Sequence, residues 1–255
     1  MTIAIIPARM ASTRFPGKPL ADIHGIPMIG HCYYRSKMSA CLDAVYIATC
    51  DDEICEYANS IGAPCIMTAD THERASDRIA EAMLKIEEET RARHEIVVLI
   101  QGDEPMIHPE MIDATVKALE DDPSVMVSNG IAVIESSEEF EDPNEIKVVV
   151  NSENDAIYFS REPIPSSAKW DGDLPMAKQV CIIPFRRDYL LEFNETPQTP
   201  LEKIESIDML RTIESGGKVR MVEMHHRSLS VDTPNDLDRV VKLMAGDALM
   251  AAYAG

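Results

Sequence analysis

Short Ile- and Val-rich runs alternate along the chain with longer stretches whose apolar positions recur every three or four residues. The runs near 2–6, 44–49, 64–67 and 95–100 read as buried strands, and the stretches near 27–40, 51–61, 76–91 and 109–121 as helices. In the third of these helices Asp77, Ile79, Ala80, Met83, Leu84 and Ile86 predict one apolar face with a charged back. The fourth begins at Pro109, whose fixed φ suits a first helical turn, and ends in Asp121-Asp122-Pro123. Strands and helices in this alternation predict an α/β fold with a largely parallel sheet.

From about 125 the pattern changes. Runs at 125–134, 146–150, 156–159 and 179–185 follow one another with turns between them, and Glu135 to Pro143 reads as an acidic loop. Strands without crossover helices predict antiparallel additions. A helix near 200–215 closes at Gly216-Gly217, a strand follows at 218–224, and a last helix starts after Pro234. With no internal repeat or low-complexity linker, the expectation is a single domain over 1–255 with a β-rich lobe at about 125–190.

Composition narrows the class. Hydrophobic residues make up 45% of the 255, yet no apolar run approaches the roughly 20 residues of a membrane span. The start, Met1 to Ile6, reads as a first strand and not as a signal peptide. Six cysteines (Cys32, Cys41, Cys50, Cys55, Cys65, Cys181) form no C-x-x-C pair, so reduced, mostly buried thiols and a cytoplasmic setting are expected. The 15 methionines read as core filling.

The net charge of −20 disfavours nucleic acid and anionic membrane as partners. It also makes the first 21 residues unusual: they carry Arg9, Arg14 and Lys18 and no acid, in a chain with 44 acids. These cations lie in Pro7-Ala8-Arg9-Met10-Ala11-Ser12-Thr13-Arg14-Phe15-Pro16-Gly17-Lys18, directly after the first strand, where ligands of open parallel sheets bind. Each opposite charge about 4 Å from a phosphate is worth roughly 4 kcal/mol at an effective dielectric of 20, before desolvation. Three cations therefore suit a triphosphate. The loop is neither G-x-G-x-x-G nor a Walker sequence, so a dinucleotide-binding dehydrogenase ranks last.

Two carboxylates extend this reading. Asp103 follows the strand Val97–Ile100 in Gln101-Gly102-Asp103-Glu104-Pro105, where Gly102 is expected to supply an unusual backbone angle. Asp232 stands in Ser230-Val231-Asp232-Thr233-Pro234, where taken alone it reads as the N-cap of the last helix. Together with the loop, the pair suits Mg²⁺, which prefers one or two carboxylates plus phosphate oxygens. His225 and His226 precede Asp232 and read as exposed, and His72 as a helix cap.

The stretches IIPARMASTRFPGKPLADIHGIPMI (5–29), SDRIAEA (76–82), LIQGDEPMI (99–107), DPNEIKVVV (142–150), AIYFSREPIP (156–165), TPLEKIESIDMLR (199–211) and SVDTPNDLDRV (230–240) carry a resemblance. In this order and over nearly the whole chain, the sequence resembles the 3-deoxy-manno-octulosonate (Kdo) cytidylyltransferases. The resemblance implies a Rossmann-like nucleotide-diphospho-sugar transferase fold, mostly parallel with an antiparallel β extension, a homodimer, and cytoplasmic synthesis of an activated sugar for surface polysaccharide. It implies that Arg9, Ser12, Arg14 and Lys18 bind the CTP phosphates, that Pro7 and Ala8 join them in the nucleotide site, that Asp103 and Asp232 hold Mg²⁺, and that Arg78 and Gln101 contribute to the nucleotide and sugar pocket. Arg9, Lys18, Asp103 and Asp232 would be the catalytic set.

The departures from the family pattern gather in the expected acceptor strand. Where the family shows an Arg-His-x-Gly-x-Tyr-x-Tyr-like run, this chain has Lys178-Gln179-Val180-Cys181-Ile182-Ile183-Pro184-Phe185. Arg74 is likewise an added cation before Ser76-Asp77-Arg78. The resemblance implies transfer of CMP from CTP to Kdo or a Kdo-like 2-keto sugar acid with release of pyrophosphate. With Gln101, Lys178, Gln179 and Cys181 as acceptor-binding residues, the exchanged hydrogen-bonding groups point to a modified Kdo-like acid, with a small phosphonate or other non-Kdo acid as the alternative. A transferase for UTP or GTP and a non-catalytic nucleotide-binding regulator are the rival readings.

Overall fold

The computed structural model describes residues 1–12 and 14–254; Thr13 of the predicted phosphate loop lies outside them. In chain order the first elements are β1 (Thr2–Ala8), β2 (Asp22–Ile23), β3 (Ile26–Pro27), α1 (Met28–Lys37), β4 (Ala44–Thr49), α2 (Asp52–Ser60), β5 (Cys65–Met67), α3 (Ala75–Thr90), β6 (Ile96–Ile100) and α4 (Pro109–Asp121). There follow β7 (Ser128–Val133), α5 (Ser137–Glu141), β8 (Lys147–Val150), β9 (Ala156–Ser160), β10 (Ala177–Val180) and β11 (Ile182–Arg186). The chain ends with α6 (Arg187–Glu195), α7 (Pro200–Glu205), α8 (Met209–Glu214), β12 (Arg220–Glu223), α9 (Pro234–Met244) and α10 (Ala248–Ala251). They form two units, one of residues 1–113 with 226 onward and one of residues 114–225.

In the first unit the parallel strands run in the order β6-β1-β4-β5. β1 and β6 are buried at every position, as continuous apolar runs covered on both faces must be. Helix α3 buries Ile79, Ala80, Ala82, Met83 and Ile86; Leu84, expected on that face, points outward. Parallel register puts Ala8 beside Thr49, so the ends of β1 and β4 open on the same edge. A separate apolar cluster of Ile23, Met28, Leu229, Val231, Val240 and Met244 takes Phe15 of the phosphate loop against it. Packing of the half-buried Phe15 against the cluster that buries Val231 ties the two segments that carry Arg14 and Asp232.

The second unit holds the sheet β12-β7-β10-β8-β9, antiparallel except for β12 beside β7. The expected run at 179–185 is two strands, β10 and β11, interrupted at Cys181. The expected acidic loop contains α5, which Ser136 caps by accepting from the Glu139 N–H at 3.2 Å and which Phe140 anchors by burial. The helix expected over 200–215 is split into α7 and α8, because Ser206 takes a left-handed conformation (φ 56°) and ends the first of them.

The expectation of six reduced cysteines is corrected at one pair. Cys55 of α2 and Cys65 of β5 form a disulfide, the helix returning so that their Cα atoms stand 5.6 Å apart. Among the described residues, no helix is long and apolar enough to cross a membrane.

Candidate active site

The open edge of the parallel sheet in the first unit holds a cleft of about 350 Å³, within the range of small-ligand sites. Pro7, Ala8, Arg9, Ser12, Arg14, Lys18, Arg78, Gln101, Asp103 and Asp232, predicted from scattered positions, all line it. Lys178, Gln179 and Cys181 do not; they belong to the second unit. There Lys178 is 2.6 Å from Glu139 and 3.1 Å from Glu145, and Gln179 donates its amide to Asn129. Burial acts to lower the Lys178 pKa, but the two carboxylates outweigh it and hold the ammonium above its ordinary range.

The loop after β1 is shaped by its own backbone and by one acid. Ser12 N–H and Gly17 N–H both donate to the Met10 carbonyl, at 2.9 and 3.1 Å. Gly17 supplies the left-handed angle (φ 73°) from which Lys18 turns inward. Met10 N–H donates to Asp51 Oδ2 at 2.7 Å, and Asp51 N–H is held by Thr49 Oγ1 at 3.1 Å. Asp51, at the end of β4, thus moors the loop from 41 residues away. In the sequence it stands out only as an acid two residues past a strand, which names no partner. Asp51→Ala is expected to raise KM for the nucleotide by about 10-fold with a smaller change in kcat, since it displaces a positioning contact; steady-state kinetics at varied nucleotide checks this.

Lys18 Nζ lies 2.7 Å from Asp103 Oδ2 and 3.4 Å from Asp232 Oδ1, and Arg14 Nη2 lies 2.9 Å from the same Asp232 oxygen. One ammonium therefore spans two carboxylates from segments 129 residues apart, and the Val231 N–H bond to the Asp103 carbonyl (2.9 Å) sets their spacing. The expectation that Asp232 caps α9 is corrected. The cap is Thr233, whose hydroxyl accepts from Asp236 N–H at 3.3 Å while Asp236 Oδ2 accepts from Thr233 N–H at 2.8 Å. That reciprocal pair leaves the Asp232 carboxylate to the cleft. Gly102 is needed for space and not for an unusual angle, because a Cβ there would meet the Pro7 carbonyl oxygen and Ile29 Cδ1 at 3.0 Å.

Two oxygens held around one cation are a donor set that suits Mg²⁺, a hard ion satisfied by few carboxylates. Lys18 Nζ already places one positive charge between Asp103 and Asp232.

Arg78 forms part of the cleft wall although it is only 3% exposed. Its guanidinium donates to Thr68 Oγ1 and the Ala69 carbonyl, and among the described residues it meets no carboxylate. A buried cation with neutral partners is costly for the fold and suited to an anionic ligand. Arg78→Met is therefore expected to leave the melting temperature unchanged or raised and to raise KM for the nucleotide by about 100-fold. Thermal melts and kinetics on the same preparation check both halves.

His72 does not cap α3; the capping position is Arg74, and His72 bonds Glu81 on that helix. Burial pushes the Glu81 carboxyl up, but hydrogen bonds from Lys85, the Ala69 N–H and His72 together bring it to about 2. Its ordinary value is near 4.5, so the stabilisation is full above that pH and is lost as pH falls towards 2. Glu81→Gln is expected to flatten the acid limb of stability in this window, as pH-dependent melts will read.

The chain matches the family described as cytidylyltransferase over residues 3–224. It is 42% identical over 252 residues to the 3-deoxy-manno-octulosonate cytidylyltransferase of Geobacter metallireducens, covering 95% of this chain and 97% of the relative. It is equally 42% identical to that of Solibacter usitatus, covering 99% of this chain and 98% of the relative. The solved structure of CMP:2-keto-3-deoxy-manno-octonic acid synthetase complexed with CTP superposes with a TM-score of 0.88 at 37% identity, over 96% of this chain and 99% of that one. The chain therefore belongs to the 3-deoxy-manno-octulosonate cytidylyltransferase family.

Proposed function

We propose that the cleft transfers CMP from CTP to Kdo, a 2-keto sugar acid, with release of pyrophosphate. The observation that carries this reading is the meeting of Lys18, Arg14, Asp103 and Asp232 at one end of a cation-lined cleft, in a chain whose relatives are named for this reaction. The sugar's anomeric hydroxyl gives its proton to water as its oxygen attacks the α-phosphorus; a new oxygen–phosphorus bond forms, the bond to the bridging oxygen breaks, and pyrophosphate leaves.

An anionic acceptor must approach an anionic triphosphate. Arg9, Arg14, Lys18 and the buried Arg78 offset that repulsion, and the backbone of Pro7 to Ser12 lets phosphate oxygens approach closely. Asp103 and Asp232 would hold Mg²⁺, which when bound neutralises charge on the transferring group. Lys18 is then available to the phosphates instead of to the two carboxylates. Gln101, at the end of β6 beside Asp103, suits the boundary between nucleotide and sugar.

The altered 178–185 strand had favoured a modified sugar acid or a phosphonate. Lys178 and Gln179 make internal contacts of the second unit, and this, with the relatives' names, favours Kdo itself. The homodimer and the cytoplasmic setting remain part of the proposal, by analogy with the family.

The test is a panel of acidic acceptors with each nucleoside triphosphate and Mg²⁺, followed by pyrophosphate release. CTP with Kdo is expected to turn over fastest, and release is expected to stop on chelation of the metal. Turnover with a phosphonate and none with Kdo would overturn the acceptor, and preference for UTP or GTP would overturn the nucleotide. No acceptor-dependent release with any pair would leave a nucleotide-binding regulator as the reading.

A further inference from the structure

A second group of potential ligands lies outside the cleft. His108, Glu110 and His226 place one donor atom each within 4.8 Å of one another. The rings of His108 and His226 stack face to face, with centroids 3.6 Å apart and planes 8° from parallel, and His226 Nε2 lies 2.9 Å from Glu110 Oε2. His108 Nδ1 is shielded from solvent and has no hydrogen-bond partner among the described residues. All three residues belong to the first unit.

We infer that His108, Glu110 and His226 form a binding site for a divalent transition-metal ion of the zinc type, distinct from the all-oxygen pair Asp103 and Asp232. Two imidazoles and one carboxylate, with a water completing the set, are a donor combination that zinc, cobalt and nickel accept and that Mg²⁺ disfavours. A tetrahedral ion with bonds of about 2.0 Å needs donors about 3.3 Å apart, which asks the two rings to tilt out of their stack.

The position gives the site a consequence. His108 lies five residues after Asp103 and His226 six residues before Asp232, so one ion would join the two segments that carry the cleft carboxylates. Backbone and side-chain bonds already tie those segments, among them Val231 N–H to the Asp103 carbonyl at 2.9 Å and Ser228 Oγ to Glu104 Oε2 at 2.7 Å. The ion would be a further fastening, at residues that do not line the cleft.

The test is titration of the metal-free chain with Co²⁺ in excess Mg²⁺, read by ligand-field absorption and equilibrium dialysis. One Co²⁺ per chain is expected, with a nitrogen/oxygen spectrum lacking thiolate charge-transfer bands, displaced by Zn²⁺ as the tighter ion. The His108→Ala/His226→Ala variant is expected to weaken binding by at least about 100-fold and Glu110→Gln by about 10-fold, while Asp103→Asn leaves it unchanged. Zn²⁺ is expected to raise the melting temperature of the wild type by a few degrees and that of the exposed-site variant Glu110→Gln by less. Equal Co²⁺ affinity in wild type and Glu110→Gln would overturn the site, as would thiolate bands or no Co²⁺ bound at millimolar concentration.

Discussion

Asp103→Asn is expected to lower the rate of pyrophosphate release at saturating CTP and acceptor by about 10³-fold, with the melting temperature changed by no more than a degree or two. The substitution keeps size and shape. An amide oxygen can still accept from Lys18 Nζ, which lies 2.7 Å from Asp103 Oδ2, and the backbone bond from Val231 to the Asp103 carbonyl is untouched. What disappears is one negative charge of a pair assembled to hold a divalent cation against a triphosphate. Asp232→Asn is expected to show the same loss, and the double variant little more, because two ligands of one ion act as a unit. A rate within 10-fold of wild type for Asp103→Asn would remove the carboxylate from the chemistry.

The loop cations and the two acids of the cleft were legible in the sequence because the physics that selects them is local, whereas Arg78 and Gln101 came from the family resemblance. Cations in an acid-free stretch after a strand, and acids at strand ends, mark an anion site without any knowledge of the fold. The pairings were less legible. In Asp232-Thr233-Pro234 two residues could each cap α9, and only the geometry shows that Thr233 caps it and Asp232 faces the cleft. Asp51 was invisible as a mooring point because its partner, Met10 N–H, lies 41 positions away. The Cys55–Cys65 bridge was equally hidden, since a separation of ten residues has no motif and depends on how α2 returns to β5. In the second unit the strands were foreseen as consecutive apolar runs with turns between them, but the breaks at Cys181 and Ser206 were not. A single left-handed residue such as Ser206 leaves no trace in hydrophobic periodicity.

The stretch 199–211 carried part of the family resemblance, and its chemistry is structural. Glu202 is wholly buried and receives Arg211 in a two-point pair, with Nε to Oε2 at 2.8 Å and Nη2 to Oε1 at 2.6 Å. Arg211, 3% exposed, also donates to the Phe193 carbonyl at 2.7 Å and lies 4.3 Å over the Phe193 ring. Glu202→Ala strands that guanidinium in the interior and is expected to cost about 3–5 kcal/mol of stability. Replacing both residues by apolar side chains of similar volume, Glu202→Leu with Arg211→Met, is expected to recover most of that loss, because no charge is then left buried. Denaturant melts of the two single variants and the double separate the cost of stranding a charge from the net worth of the pair. A loss below about 1 kcal/mol in Glu202→Ala would mean that water reaches Arg211 and that the pair is not an organising contact of α7 and α8.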